Sequence, residues 1–386
     1  MRFSHHISLA ICLALAACGQ HTASTSADSA SIAREPQDSV NAAPATATLL
    51  FVGDAMQHQA QLDRARQLGN GRYDYSGCFD LLAPTIKEAD YAVVNLEVPL
   101  GGGRGGYTGF PCFSAPDSFA EALREAGFDL FLTANNHMLD RSDAGLRRTI
   151  HVLDSLQVDH TGTFTDAAAR QSLVPLIKNI NGIRTAFLNY TYGTNGLTAK
   201  DGAEVALTDR KKMAEEISLA RKKGAEIIVV CVHWGVEYVL HENDNQRALA
   251  QFLVDQGADM VIGGHPHVIQ PMKVVHSDKH GKDCLVVYSL GNFISNMKTD
   301  DTRGGAMVTC TIERGNDGVA RFKNAVYDTF YSAKPDGSDR SNYQVIPSWM
   351  PERIPAAQTG WWRTFDTSAR RVFDAENVNV PSAHPR

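Results

Sequence analysis

Residues 259–267 read Asp-Met-Val-Ile-Gly-Gly-His-Pro-His. Met260, Val261 and Ile262 have the length of a buried strand, and two glycines stop the run, so His265 and His267 arrive at a strand's C-terminal edge. Open α/β sheets bind their ligands at that edge. Pro266 fixes its own φ and is expected to push His265 toward an extended conformation, giving the two imidazoles a reproducible relation. Two neutral imidazoles held rigidly suit a transition metal, although histidine pairs in loops are commoner than metal sites.

Outward from this stretch the same pattern recurs. The apolar run 48–52 is followed by Gly53-Asp54, the run 91–94 by Asn95-Leu96-Glu97, and the run 129–133 leads to Asn135-Asn136-His137. Residues 227–232 end in His233-Trp234-Gly235-Val236-Glu237, and residues 285–289 run into Leu290-Gly291-Asn292. Helical patterns lie between, at about 79–89, 117–126 and 245–256, with another capped by Ser142 whose apolar positions Leu146, Ile150 and Leu153 are spaced by four and three. This alternation predicts an α/β fold with a largely parallel sheet covered on both faces. Asn181-Gly182, between residues 173–180 and 183–189, predicts an inserted antiparallel hairpin, and the turn containing Asn316-Asp317-Gly318 predicts a second pair. The glycine-rich loop 101–109 lacks a Gly-Lys-Ser/Thr ending and opens no helix, so it reads as a mobile loop beside the site and not as a phosphate cradle.

The strand exits together present Asp54, Asn95, Glu97, Asn136, His137, His233, His265 and His267. Hard oxygen donors mixed with imidazoles are the ligand set of Mn, Fe or Zn, whereas Mg or Ca favours oxygen alone. Two such ions about 3.5 to 4 Å apart can ionise a water between them and stabilise the entering and leaving oxygens of a phosphoryl displacement. Singly, each residue has an ordinary alternative: Asp54 and Asn136 as turn caps, Glu97 paired with Arg104, Asn292 tying two strands, His233 packed on Trp234. Their shared location makes a site the better reading. His151, His160, His276 and His280 have no such company and are expected to be structural or on the surface.

The N-terminus reads as an address. Arg2 precedes an apolar run over residues 7–17, too short to span a bilayer, for which about 20 residues are needed. The sequence Leu15-Ala16-Ala17-Cys18 resembles a bacterial lipobox, which implies cleavage before Cys18 and a lipid on its thiol; Gly19 after it implies the outer membrane. Residues 19–45 are Ser/Thr/Ala-rich and read as a flexible tether, residues 46–347 as the folded domain, and residues 348–386 as a C-terminal tail with one short helix near 362–373. The chain has 386 residues, 37 Lys+Arg and 43 Asp+Glu, for a formal charge of -6, with no basic run that would suit nucleic acid. Cys231, Cys284 and Cys310 sit in apolar runs, while Cys78 and Cys112 lie in polar segments where an exported protein can form a disulfide.

Six stretches in order, FVGDAMQH, VVNLEVPL, TANNHMLD, CVHWGVEY, GADMVIGGHPHVIQP and VVYSLGNF, resemble the CapA family of poly-γ-glutamate capsule biosynthesis proteins, a branch of the calcineurin-like metallophosphatase superfamily. The resemblance runs from about residue 49 to 293 and implies a four-layer αββα sandwich of two mixed sheets. It implies Asp54, Glu97, Asn136, His233, His265 and His267 as ligands of about two divalent ions. His137 takes the role of the non-ligand histidine that serves the phosphoryl group, oriented by Asp140, and His58, Asn95, Glu237 and Asn292 stand around them. Two positions depart from the superfamily pattern: Met56 stands where a ligand histidine is usual, and Asn95-Leu96-Glu97 replaces a glycine-preceded bridging aspartate.

The expectation is thus a lipid-anchored, metal-dependent phosphoesterase-like hydrolase of the cell envelope, acting in capsule or poly-γ-glutamate-type exopolymer biosynthesis. Its substrate would be a phosphorylated or lipid-linked intermediate, with capsule synthase subunits as partners. The rival expectation is a non-catalytic, metal-stabilised binding or scaffold subunit of an exopolymer complex.

Overall fold

The computed structural model describes residues 43–385 except 103, 104 and 339. The signal peptide, Cys18 and almost all of the tether therefore lie outside the described residues, as does Arg104.

The strand Ala45–Ala55 shows why the apolar runs are continuous and not alternating. Leu49 and Phe51 face one core while Leu50 and Val52 face another. Side chains of a strand alternate between faces, so a strand buried on both needs no polar position. In the strand Ile227–His233, Ile227, Val229 and Cys231 share the core of Leu49 and Phe51, while Ile228, Val230 and Val232 enter a third cluster with helices Arg210–Lys222 and Asp244–Gln256. Two sheets thus pack face to face, each covered outside by helices: the αββα sandwich expected.

In the first sheet, Ala45–Ala55, Tyr91–Leu96, Leu130–Leu132 and Asp159–Thr161 run parallel, and the antiparallel strands Gly304–Arg314, Ala320–Ala333 and Gln344–Pro347 extend it on the other side. In the second, Ile183–Thr191, Ile227–His233, Met260–Gly264 and Lys282–Leu290 run parallel between antiparallel edges Leu176–Ile180 and Ile269–Ser277. Both sheets are mixed.

Several local expectations hold. Asn181 and Gly182 take φ of 47° and 87°, as a two-residue hairpin turn requires, and Gly257, at φ 106°, ends the helix Asp244–Gln256. Others need correction. Ser142 does not cap its helix: it begins the helix Ser142–Ser155 with no capping hydrogen bond, and Asp143 beside it accepts the backbone N–H groups of Lys200, Asp201 and Ala203. Cys78 and Cys112 are both free; Cys78 is buried in the apolar cluster beneath the first sheet's helices, and Cys112 is exposed. The segment 348–386, expected as a tail with a short helix near 362–373, carries the longer helix Thr359–Glu376, whose Trp362, Phe365, Val372 and Phe373 pack into the core between the sheets. The strand Ala45–Ala55 starts inside the expected tether. Among the described residues no helix is long and apolar enough to cross a membrane.

Candidate metal centre

Asp54 lies at the C-terminal end of its strand between two neighbours in register, Asn95 on one side and Asn292 on the other. Across the gap between the sheets, Gly264 pairs with His233. A side chain cannot be added at Gly264, because its Cβ would lie 2.9 Å from Asp54 Oδ1. Gly264 therefore lets one sheet's edge close on the other's carboxylate, while Gly263 lets its own strand pass the Tyr288 carbonyl and the Trp234 ring.

The cluster that results is almost wholly buried. Asp54 Oδ1 accepts the Asn95 amide at 2.7 Å, and Oδ2 accepts the backbone N–H of His265 at 3.2 Å and lies 3.3 Å from His267 Nδ1. Glu97, fully buried, places Oε1 3.5 Å from His233 Nε2 and 3.7 Å from His267 Nε2. Asn136 Oδ1 meets His233 Nε2 at 2.8 Å, and Asn292 Oδ1 meets His267 Nδ1 at 3.0 Å. All six expected ligands, with Asn95 and Asn292, are thus brought together. His137 stands beside them, its Nδ1 2.8 Å from Asp140 Oδ2 and its ring edge-on to Phe113 at 4.6 Å.

His265 does not have the extended conformation expected before Pro266, and His267 is likewise unusual. Their φ values are 98° and 59°, both in the left-handed region. Such a backbone costs of order 1–3 kcal/mol at each non-glycine residue and persists only where packing over-determines it. Here the Asp54 carboxylate holds the His265 N–H, and Asn292 and Asp54 hold the His267 ring.

Burial and charge split the titratable groups. Burial lowers His233 to about 3, His265 to about 2 and His58 to about 4, keeping these imidazoles neutral and open as ligands. Burial acts the same way on His267, yet Glu97 and the Asp54 hydrogen bond raise it to about 9. Burial would raise Asp54, but His267, His233 and Asn95 hold its carboxyl well below the usual range. Glu97 is pushed well up, by burial first and by Asp54 second.

The donor set fits divalent metal. Glu97 Oε1 and His265 Nδ1 are buried without a hydrogen-bond partner, an expensive state for two atoms that are good ligands. Glu97, His233 and His265 form one group with ligand atoms within 4.8 Å of one another, and Asp54, Glu97 and His267 form a second. Glu97 belongs to both, as a carboxylate bridging two ions would.

The supporting positions fall as follows. Met56, in the usual histidine position, is buried in the apolar cluster under the helices and contributes nothing polar. His58 caps the helix Gln59–Leu68 and contacts Gln61 and the backbone N–H of Asn296, within electrostatic reach of His137 and His267. Glu237 is half-buried and acts on His233 and His267. His160, His276 and His280 bond to Asp154, Asp283 and the Asp255 carbonyl, away from the cluster.

Sequence reasoning missed the exit of the strand Ile183–Thr191. Expected only as part of an antiparallel pair, which it does form with Leu176–Ile180, it also pairs in parallel with Ile227–His233, and Tyr192 just beyond it reaches the site. Tyr192 packs on His265 with ring centroids 4.6 Å apart, and Asn195 accepts the Asn136 amide N–H at 3.2 Å. The signal was present: Thr191-Tyr192 follows an apolar run as His233 and Asn95 do. Asn135 was also passed over, though its amide donates to Asn95 Oδ1 and the Leu96 carbonyl.

Comparison with known proteins places this geometry. Residues 48–297 match the family described as bacterial capsule synthesis protein PGA_cap. The capsule biosynthesis protein CapA of Bacillus anthracis is 32% identical over 270 residues, 68% of this chain and 62% of that protein. The PGA biosynthesis protein CapA of Bacillus subtilis is 28% identical over 71% of this chain and 69% of its own. The chain thus spans less than two thirds of the Bacillus anthracis relative. Among solved structures, the NAD nucleotidase of Haemophilus influenzae aligns over 89% of this chain and 65% of that chain with TM-score 0.46 and 10% identity. With the family model covering most of the folded domain, the chain belongs to the PGA_cap family of bacterial capsule synthesis proteins.

Proposed function

We propose that this protein is a metal-dependent phosphoesterase-like hydrolase of capsule or poly-γ-glutamate-type exopolymer biosynthesis, anchored in the cell envelope, at the outer membrane, by a lipid on Cys18. The observation that carries the hydrolase reading is Glu97: a wholly buried carboxylate with one unpartnered oxygen, shared between two three-residue donor groups. Asp54, Glu97 and His267 would hold one divalent ion, and Glu97, His233 and His265, with Asn136, the other. When bound, the pair supplies Lewis acidity toward a phosphoryl group.

The chain's own residues do the rest. Asp140 accepts the Phe113 backbone N–H at 2.8 Å as well as the His137 ring, so the imidazole is fixed from below and its Nε2 is left free for a substrate oxygen. As a water adds to phosphorus and the ester P–O bond breaks, His137 Nε2 gives its proton to the leaving oxygen and regains one from the attacking water, while Asp140 holds the ring in place. Burial of the cluster excludes bulk water. Poly-γ-glutamate contains no phosphate, so the substrate is a phosphorylated or lipid-linked intermediate, handed on by synthase subunits.

Elemental analysis of the soluble domain tests the reading. Close to two Mn, Fe or Zn per chain, lost in His265→Ala and His267→Ala, is expected, followed by turnover of phosphate esters. One metal or none, with no turnover, would instead make the protein a binding subunit of the exopolymer machinery.

A further inference from the structure

Three separate loops bring exposed aromatic rings to the imidazoles of the metal centre. Tyr192, 47% exposed, packs on His265; Tyr238, 54% exposed, stands 6.2 Å from His267; and Phe110, 72% exposed, touches Phe113, which packs on His137. Val236 and Val239, also exposed, flank Tyr238. Five of the eleven large apolar side chains left exposed among the described residues thus belong to segments beside one site. Single exposed apolar residues are ordinary, but a set gathered around a buried polar centre marks a surface that is covered by a ligand.

The tyrosines are held, not loose. The Tyr192 backbone N–H donates to the His233 carbonyl at 3.0 Å, and that of Tyr238 to the Pro266 carbonyl at 2.8 Å, so each tyrosine's backbone is tied to a segment that carries an imidazole of the cluster. Between them, Glu237 exerts a negative field on both tyrosines and on His233 and His267. A carboxylate there opposes a polyanion and leaves an apolar group unaffected.

We infer that the rim formed by Tyr192, Tyr238 and Val236 is a binding subsite for an apolar substituent esterified to the phosphate, so that the substrate is an amphiphilic phosphate ester and not a free γ-glutamyl polyanion. This rests on the phosphoester reading above. Tyr192 and Tyr238 are its specificity-determining residues, giving affinity for the leaving portion while the buried cluster handles the phosphoryl group.

Calorimetric binding of methyl-, butyl- and octylphosphonate to the metal-loaded protein tests this without turnover, each below its micelle concentration. Affinity is expected to rise roughly threefold per methylene over the first few carbons. Tyr192→Ala with Tyr238→Ala should remove that gain, so that octylphosphonate binds the variant no more tightly than methylphosphonate does, while the corresponding Phe variants keep it. Equal affinity along the series, or tighter binding of a γ-glutamyl oligomer than of octylphosphonate, overturns the inference and leaves the phosphoester reading standing. If no phosphonate binds, methyl included, both fall.

Discussion

Glu97 carries two opposed demands. Its full burial beside Asp54 makes its charge expensive in the metal-free protein, while its oxygen without a hydrogen-bond partner, shared by both donor groups, would be a ligand if metal is bound. Glu97→Gln keeps the shape and removes the charge. The metal-free variant should therefore melt at or above the metal-free wild type, yet bind metal at least tenfold more weakly; a variant that keeps both ions would remove Glu97 from the ligand set. His137 tests the other half of the site. Because it is bonded to Asp140 and belongs to neither donor group, His137→Ala should lower phosphoester turnover by about 10²–10⁴-fold with metal content unchanged. Among the described cysteines, Cys112 alone is exposed, and burial raises the Cys78, Cys231 and Cys310 thiols far above their ordinary value. A thiol reagent should label Cys112 quickly in the folded domain and Cys78, Cys231 and Cys310 only on unfolding.

At the scale of elements, the two sheets are pinned at the edge opposite the site. Arg314, at the end of Gly304–Arg314 in the first sheet, forms a two-pronged ion pair with Glu226 at the entry of Ile227–His233 in the second, and also donates to the carbonyls of Ala43 and Gly182. Arg314→Ala takes from a part-exposed carboxylate its ion-pair partner, leaving it the Arg184 backbone N–H, and from two carbonyls a donor, a loss of about 1–3 kcal/mol measurable by denaturant titration. Burial works to raise Glu226, but Arg314 and the Arg184 backbone N–H hold its folded pKa below the ordinary 4.5. A depressed carboxylate contributes its stability above the unfolded pKa and loses it as pH falls through the folded value. Glu226→Gln should therefore lower stability at pH 7 and flatten the acid limb below about pH 4.5. The exit of Ile183–Thr191 belongs to this scale too. Asn181-Gly182 declared the hairpin, but nothing local says that its second strand then joins a parallel neighbour, which is decided by pairing at long sequence distance.

For the whole molecule, the helix Thr359–Glu376 closes the core between the sheets, with Phe365 packed against Gly304. Ending the chain at residue 347 uncovers Trp362's and Phe373's neighbours in that core, and the product should be insoluble or lack a cooperative melt. Metal links to the same stability. At free metal a hundredfold above Kd the folded state gains about 2.7 kcal/mol, so a chelator should lower the melting temperature of the wild type and leave that of a His265→Ala, His267→Ala double variant unchanged.

The six strand exits, and with them the residues of the buried polar cluster, were legible in sequence because a doubly buried strand writes a continuous apolar run and a site at its end writes polar residues directly after it. The order of those runs pointed to one largely parallel sheet; the two mixed sheets of the sandwich were expected only from the family resemblance. What tertiary structure alone decided was anything requiring two segments far apart in the chain. Glu97 joins both donor groups only where one sheet's edge meets the other's; His265, at positive φ, gives its backbone N–H to Asp54, a residue 211 positions away. Cys78 is buried out of reach of oxidation by helix packing, and Tyr192 roofs a histidine of another strand. A local pattern encodes which face a residue takes, but the distance between two faces depends on all the side chains packed between them.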